Sequence, residues 1–341
     1  MNSIENKRYN LGIALGKLLM CFEVVLIHFW SGSGPAALAP FAALRPVAVP
    51  FFMVVSFFLG ERGFERRDPI RNRGRMRKLI TVQVTWAVLY WLVYVLYLLL
   101  VENNPGGFPG SLKLLLWQIF TGHSPKLNST MWFQTDLIAA TALVILLFCR
   151  HSDRIALGII TGLAAVCLLL EYTGINHMLF SPLRYELKYP LGRFFEIFPM
   201  VCAGLLIARC DLIGRMGRAA PLIAAAGIAA VCLLPLPEAP GFDYQGLYLL
   251  LMGCFCAVLA ISLPLRSLPA WGERFILLLS RHTMGIYCMH RMTGNLLRTF
   301  FPRLGLNTDS FSFCLLIYLL SWLACEVLSR MPWRWMRELA D

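Results

Sequence analysis

The run LGIALGKLLMCFEVVLIHFWS, residues 11–31, decides the fold of this chain. It is almost wholly apolar, and its ionisable groups are Lys17, Glu23 and His28. A helix crossing a hydrocarbon core of ~30 Å needs about 20 mostly apolar residues, so this run is long enough to span a membrane. Lys7 and Arg8 precede it and Ala37-Leu38-Ala39 follows it, which is the outline of a secretory signal. A signal core has no use for Lys17, Glu23 and His28, and more apolar runs follow at once, so the run reads as a first transmembrane helix.

Outward from this helix, apolar runs bounded by charges or turn residues recur near 44–60, 79–101, 131–149, 155–172, 190–208, 219–236, 245–263, 275–295 and 311–329. The expected fold class is therefore an all-α integral membrane protein, a polytopic bundle of about ten transmembrane helices. Composition agrees: 58% of the 341 residues are hydrophobic, 15% are charged and the mean hydropathy is +0.65. Ordinary globular chains hold ~45–50% apolar and about a quarter charged residues, which excludes a soluble fold. So many spans leave no room for a soluble domain, and residues 1–341 read as a single transmembrane domain. The 11 cysteines are scattered through apolar runs without metal-type spacing and read as small packing residues; no metal is expected.

A net charge of +12 could point to nucleic acid, but in a membrane chain Lys and Arg gather in cytoplasmic loops. The stretch Glu61 to Lys78 carries Arg62, Arg66, Arg67, Arg71, Arg73, Arg75, Arg77 and Lys78, and so belongs on the inside. Alternation then places Arg150 and Arg154, Arg209, Arg215 and Arg218, Arg266 and Arg274, and Arg330, Arg334 and Arg337 inside as well. Both termini are cytoplasmic in this reading, and no nucleic-acid partner is implied. The long outer connection holds a Leu- and Trp-rich piece, Leu112 to Phe120, that suits a helix in the membrane interface.

Ionisable groups inside spans are costly and point to a functional interior. Lys17 and His28 are eleven residues apart. At 100° and 1.5 Å per residue they differ by only ~20° around the axis and ~16 Å along it, so they share a face at different depths. The topology puts Lys17 near the cytoplasmic boundary and His28 in the outer half. Arg45, Asp136, Arg193, Glu196, His290 and Arg291 fall at a similar outer depth, as a shared polar cavity requires. Each also has a plainer reading: snorkelling for Lys17, a satisfied interfacial ring for His28, a helix-end anchor for Arg45, separate ion pairs for the rest. Glu23 points about 140° away from His28 and stays unassigned.

At these residues the chain resembles the membrane-bound acyltransferase family 3, the glycan and sugar O-acyltransferases. Lys17, ten spacers and His28 resemble that family's basic residue and histidine on helix one, with Val24-Val25 before the His and lysine for the commoner arginine. Arg45, Val49-Pro50-Phe51-Phe52 and Ser56-Phe57-Phe58 are similar to its second-helix pattern, with Phe57 where glycine is usual. Arg75-Met76-Arg77-Lys78 resembles its paired-arginine motif in part, and Met131-Trp132-Phe133 the start of a later helix. Thr283 to His290 is similar to its Ser-x-x-Ile-Tyr-x-x-His run, with threonine for serine. These pieces occur in the family's order across most of the chain.

The resemblance implies an O-acyltransferase, most often an O-acetyltransferase, using acyl coenzyme A from the cytoplasm on a hydroxyl of a cell-surface or exported glycan. The setting would be a bacterial cytoplasmic membrane, with lipid around the bundle. Acetyl-CoA would be the acyl donor and co-substrate, its phosphate-rich head held by Lys17, Arg75, Arg77 and Lys78. Acyl transfer needs a base or a nucleophile that works near neutral pH; histidine serves as either, and His28 is the expected one. Asp136 or Glu196 would orient its ring, as the third member of a triad does. Arg45 would meet the oxyanion or an anionic acceptor, and Trp132, Tyr287 and His290 would line the acceptor site. The rival reading is a polytopic transporter or flippase, which also gathers ionisable groups around a cavity but often shows repeated halves and broken helices, neither of which is clear here. The acceptor, acetyl against succinyl, and whether the chain forms a homo-oligomer stay open.

Overall fold

A computed structural model describes residues 11–32, 35–65, 67–100, 102, 107–123, 130–173, 185–233, 245–263, 268–301 and 307–340. Over these residues the chain is helical, without a strand. In order run α1 (Leu11–Phe29), α2 (Ala39–Leu44), α3 (Ala48–Glu65), α4 (Pro69–Leu100), α5 (Phe108–Thr121), α6 (Trp132–Arg150), α7 (Asp153–Tyr172) and α8 (Tyr185–Arg209). There follow α9 (Leu212–Met216), α10 (Ala220–Leu233), α11 (Gln245–Ser262), α12 (Ala270–Ser280), α13 (Thr283–Phe300), α14 (Phe311–Ser329) and α15 (Arg334–Ala340).

Each apolar run of the sequence lies on a helix. Among the described residues, six stretches are long and apolar enough to cross a membrane: Leu11–Phe29, Pro69–Leu100, Trp132–Arg150, Asp153–Glu171, Leu212–Leu233 and Phe311–Ser329. The other runs fall on α3, α8, α11 and α13, which are shorter or interrupt their apolar residues with charges. The outer surface is apolar where a soluble protein's is polar. On α14, Leu315, Leu319, Leu323 and Val327 form an exposed stripe at helical spacing, while Cys314, Ile317, Ser321 and Cys325 face inward. Such a surface is stable against lipid, and the chain is a multi-pass membrane protein.

Helix α1 is the hub, packed against α3, α11, α12, α13 and α14. Most of its side chains are buried, including Met20, Cys21, Val24, Val25 and Leu26. Beside it, α3 packs on α8, α8 on α6 and α7, and α4 on α5 and α6. Seven cysteines, Cys21, Cys167, Cys202, Cys256, Cys288, Cys314 and Cys325, are buried as packing residues. Cys149, Cys210 and Cys232 are exposed, at the ends of α6, α8 and α10.

Two elements differ from their expected form. The basic stretch 61–78 is helical on both sides of a tight turn: α3 continues to Glu65 and α4 starts at Pro69. Asp68 explains the early start, because its Oδ1 accepts from the Ile70 and Arg71 amides at 3.1 and 3.0 Å. Proline follows at the first helical position, where its missing N–H costs nothing. Gly60 and Gly63 of α3 then leave room for the Arg75 and Arg71 side chains of α4. Arg62 and Arg66 lie outside the residues whose side chains are described.

The run 275–295 is two helices, α12 and α13, parted at Arg281 and His282. Here the His282 ring turns to tertiary partners, Nδ1 to the Ala340 carbonyl at 3.1 Å and Nε2 to Glu326 at 2.9 Å. The piece 112–120, expected as a helix in the membrane interface, is helical, and α5 runs back along α4. Trp91 donates to Ser111 Oγ at 3.1 Å, and Gln83 donates to the Gln118 carbonyl at 3.1 Å, which fixes the two helices antiparallel.

Candidate active site

The centre of the site is a pair of imidazoles contributed by α1 and α13. These helices run in register, since the Cys21 thiol donates to the Thr283 carbonyl at 3.4 Å. Seven residues further on each helix stand His28 and His290, carried by equal rises of ~10 Å. Their rings stack with centroids 5.3 Å apart and planes 23° from parallel. Gly294, one turn beyond His290, lets the Phe29 ring close against α13. Phe29 stands edge-on to His290 at 6.4 Å, and Arg298 lies 4.8 Å over the Phe29 ring.

The hydrogen bonds assign the proton of each ring. His290 is fully buried, with Nδ1 2.6 Å from the Tyr287 carbonyl oxygen and 3.3 Å from that of Ile286. Carbonyl oxygens only accept, so Nδ1 carries the hydrogen and Nε2 keeps its lone pair. That Nε2 is buried and has no hydrogen-bond partner among the described residues. His28, half-buried, has Nδ1 3.4 Å from Arg291 Nη1. A guanidinium only donates, so here Nδ1 accepts and the neutral ring has its hydrogen on Nε2. The two stacked rings thus hold opposite tautomers.

Tyr90, which no sequence pattern singles out among the aromatics of α4, braces this arrangement. Its hydroxyl donates to the Cys288 carbonyl at 2.8 Å and accepts from the Met292 amide at 3.2 Å. Those two groups bond each other in a regular α-helix, so a side chain is inserted into α13 astride His290. Tyr287 donates its hydroxyl to the Thr130 carbonyl, with its ring 6.0 Å from His290 and 5.3 Å from Phe133. It therefore ties the start of α6 to the histidine helix.

The carboxylates expected beside His28 form a separate cluster between α6 and α8. Glu196 pairs with Arg193 at 2.6 Å, and Arg193 lies 5.0 Å over the Trp132 ring. Asp136 is 3% exposed, within the field of Arg193 and Glu196, and its Oδ2 has no hydrogen-bond partner among the described residues. The polar neighbour of His28 is a guanidinium instead. Helical phase put these carboxylates at the right depth but could not say which neighbour they face.

The basic residues also divide. Lys17 and Lys78 lie within reach of each other's charge, and no carboxylate pairs with either among the described residues. Two ammonium groups within each other's field repel, and a polyanion between them would relieve the repulsion. Arg75 stacks on Phe64 of α3 at 4.6 Å, and Arg77 pairs with Glu338 of α15 at 3.8 Å. Arg45 donates to the Trp30 carbonyl at 2.6 Å and lies 5.5 Å over its ring, the anchoring of a helix C-terminus. Glu23 is buried on the Arg45 side of α1. Beyond Trp30 a cleft of about 530 Å³ opens, lined by Trp30, Leu38, Asn307, Asp309, Ser310 and Ser312 among others.

Fold and site together define a polytopic membrane protein built around a stacked histidine pair. A family model described as an acyltransferase domain matches residues 10–329, and the chain belongs to that family, acyltransferase family 3. It is a membrane acyltransferase enzyme. No curated protein and no solved structure matches it.

Proposed function

We propose that the enzyme moves an acyl group, acetyl in the first instance, from cytoplasmic acyl coenzyme A to a hydroxyl of a cell-surface or exported glycan. The observation that carries this reading is the stacked pair His28 and His290, with Lys17 on the His28 face of α1 and Lys78 beside it. The bundle crosses a bacterial cytoplasmic membrane about ten times, with both termini inside, because the connections richest in Lys and Arg then fall on one side. Lys17 and Lys78 hold the anionic head at the inner end, and the thioester arm reaches ~16 Å along α1 to the imidazoles. The glycan enters from the outer end, where the cleft beside Trp30 offers aromatic, hydroxyl, amide and carboxylate groups suited to a sugar.

Purified enzyme in lipid, given radiolabelled acetyl coenzyme A with and without envelope glycan extracts, tests this. Wild type is expected to release coenzyme A and label the glycan, and His28→Ala to do neither while inserting normally. No donor binding or turnover, with glycan extracts moved across the bilayer instead, would replace this reading with a transporter.

A further inference from the structure

The structure assigns different jobs to the two histidines: His290 Nε2 is the general base, and His28 is a neutral hydrogen-bond donor to the thioester oxygen. This rests on the acyltransferase reading above and reverses the role expected for His28. His290 is held by its Nδ1–H on the Tyr287 carbonyl, which fixes the tautomer, aims the ring and leaves Nε2 as an acceptor. That nitrogen is buried and has no partner among the described groups. Leaving a buried acceptor unsatisfied is costly, and a substrate hydroxyl removes that cost on binding. His28 is set the other way round. With Arg291 on Nδ1, its free nitrogen is an N–H and cannot take a proton. It can donate to the oxygen on which charge develops as the thioester is attacked.

The step balances within the pair and its two substrates. The acceptor hydroxyl gives its proton to His290 Nε2 as its oxygen bonds to the acyl carbon. The carbonyl oxygen becomes an oxyanion held by His28 Nε2–H. Collapse breaks the carbon–sulfur bond, and the imidazolium at His290 returns the proton to the leaving thiolate. Ester and coenzyme A thiol leave, and His290 regains its bare Nε2. Tyr90 is a positioning residue in this scheme, since its hydroxyl sets the backbone of α13 around His290.

Coenzyme A release, with acetyl coenzyme A and glycan extract, separates the roles in His290→Ala, His290→Gln and His28→Gln, each checked for monodisperse elution and thermal unfolding. Loss of a general base is expected to slow release by ~10²–10⁴-fold in both His290 variants. Added imidazoles should restore His290→Ala, the more basic ones more strongly, a response that a packing role does not give. His28→Gln keeps an N–H donor and should retain far more activity than either His290 variant. Rescue of His28→Ala by imidazole with none of His290→Ala, or full activity in His290→Gln, overturns the assignment. A wild type that releases no coenzyme A overturns the donor reading itself, and the base assignment with it.

Discussion

His282 and His290 stand eight residues apart around the first turns of α13, and both are fully buried. His282 has partners on both nitrogens, the Ala340 carbonyl at 3.1 Å and Glu326 at 2.9 Å, while Arg330 holds the other oxygen of Glu326 at 2.7 and 2.9 Å. His290 has one nitrogen anchored and the other bare. One ring fastens α15 and α14 to the head of α13, and the other offers an unused acceptor beside a second histidine. Burial alone therefore does not separate a structural histidine from a reactive one; the bonding of each nitrogen does.

The contrast can be broken or sharpened by substitution. After the His290 variants, the largest expected effect is again at the reactive end: His28→Ala should lower acyl transfer by ~10²–10³-fold, the cost of one oxyanion donor, with thermal unfolding within ~0.5 kcal/mol of wild type. A variant that loses its fold instead would place His28 with His282. At the structural end, His282→Ala should cost about 2 kcal/mol of stability, because it strands the Ala340 carbonyl and half of the Glu326 carboxylate. Its folded fraction should keep wild-type kcat, and a collapsed kcat at intact stability would erase the distinction. Lys17→Ala should raise the KM for acetyl coenzyme A about tenfold, roughly 1.4 kcal/mol, at unchanged kcat. Smallest, Tyr90→Phe should lower kcat about fivefold, in line with one neutral hydrogen bond of ~1 kcal/mol. No change there would mean that α13 holds His290 unaided.

Much of the fold is legible in the chain because spanning helices must be long and apolar, so their positions show as runs. The helical start at Asp68-Pro69 was legible too, as a capping residue followed by proline, but the crowd of arginines around it reads first as a loop. The break at His282 was hidden, since its cause is Ala340, 58 residues away. Within the site, the shared face of Lys17 and His28 follows from helical geometry alone. The partners of His28, Asp136 and Glu196 do not, because phase within one helix leaves the packing azimuth of its neighbours undetermined. The opposed tautomers were beyond reach of any pattern, since they depend on a backbone carbonyl and a guanidinium placed by tertiary contacts.

The exposed cysteines make the chain its own reporter of sidedness. Cys149 and Cys210 close α6 and α8 beside arginines assigned to the inside, while Cys232 lies near the far end of α10. On the topology proposed above, an impermeant maleimide applied to sealed, right-side-out vesicles should label Cys232, and inverted vesicles should present Cys149 and Cys210. The direction in which the acyl group travels can be oriented in the native sequence, before any residue is changed.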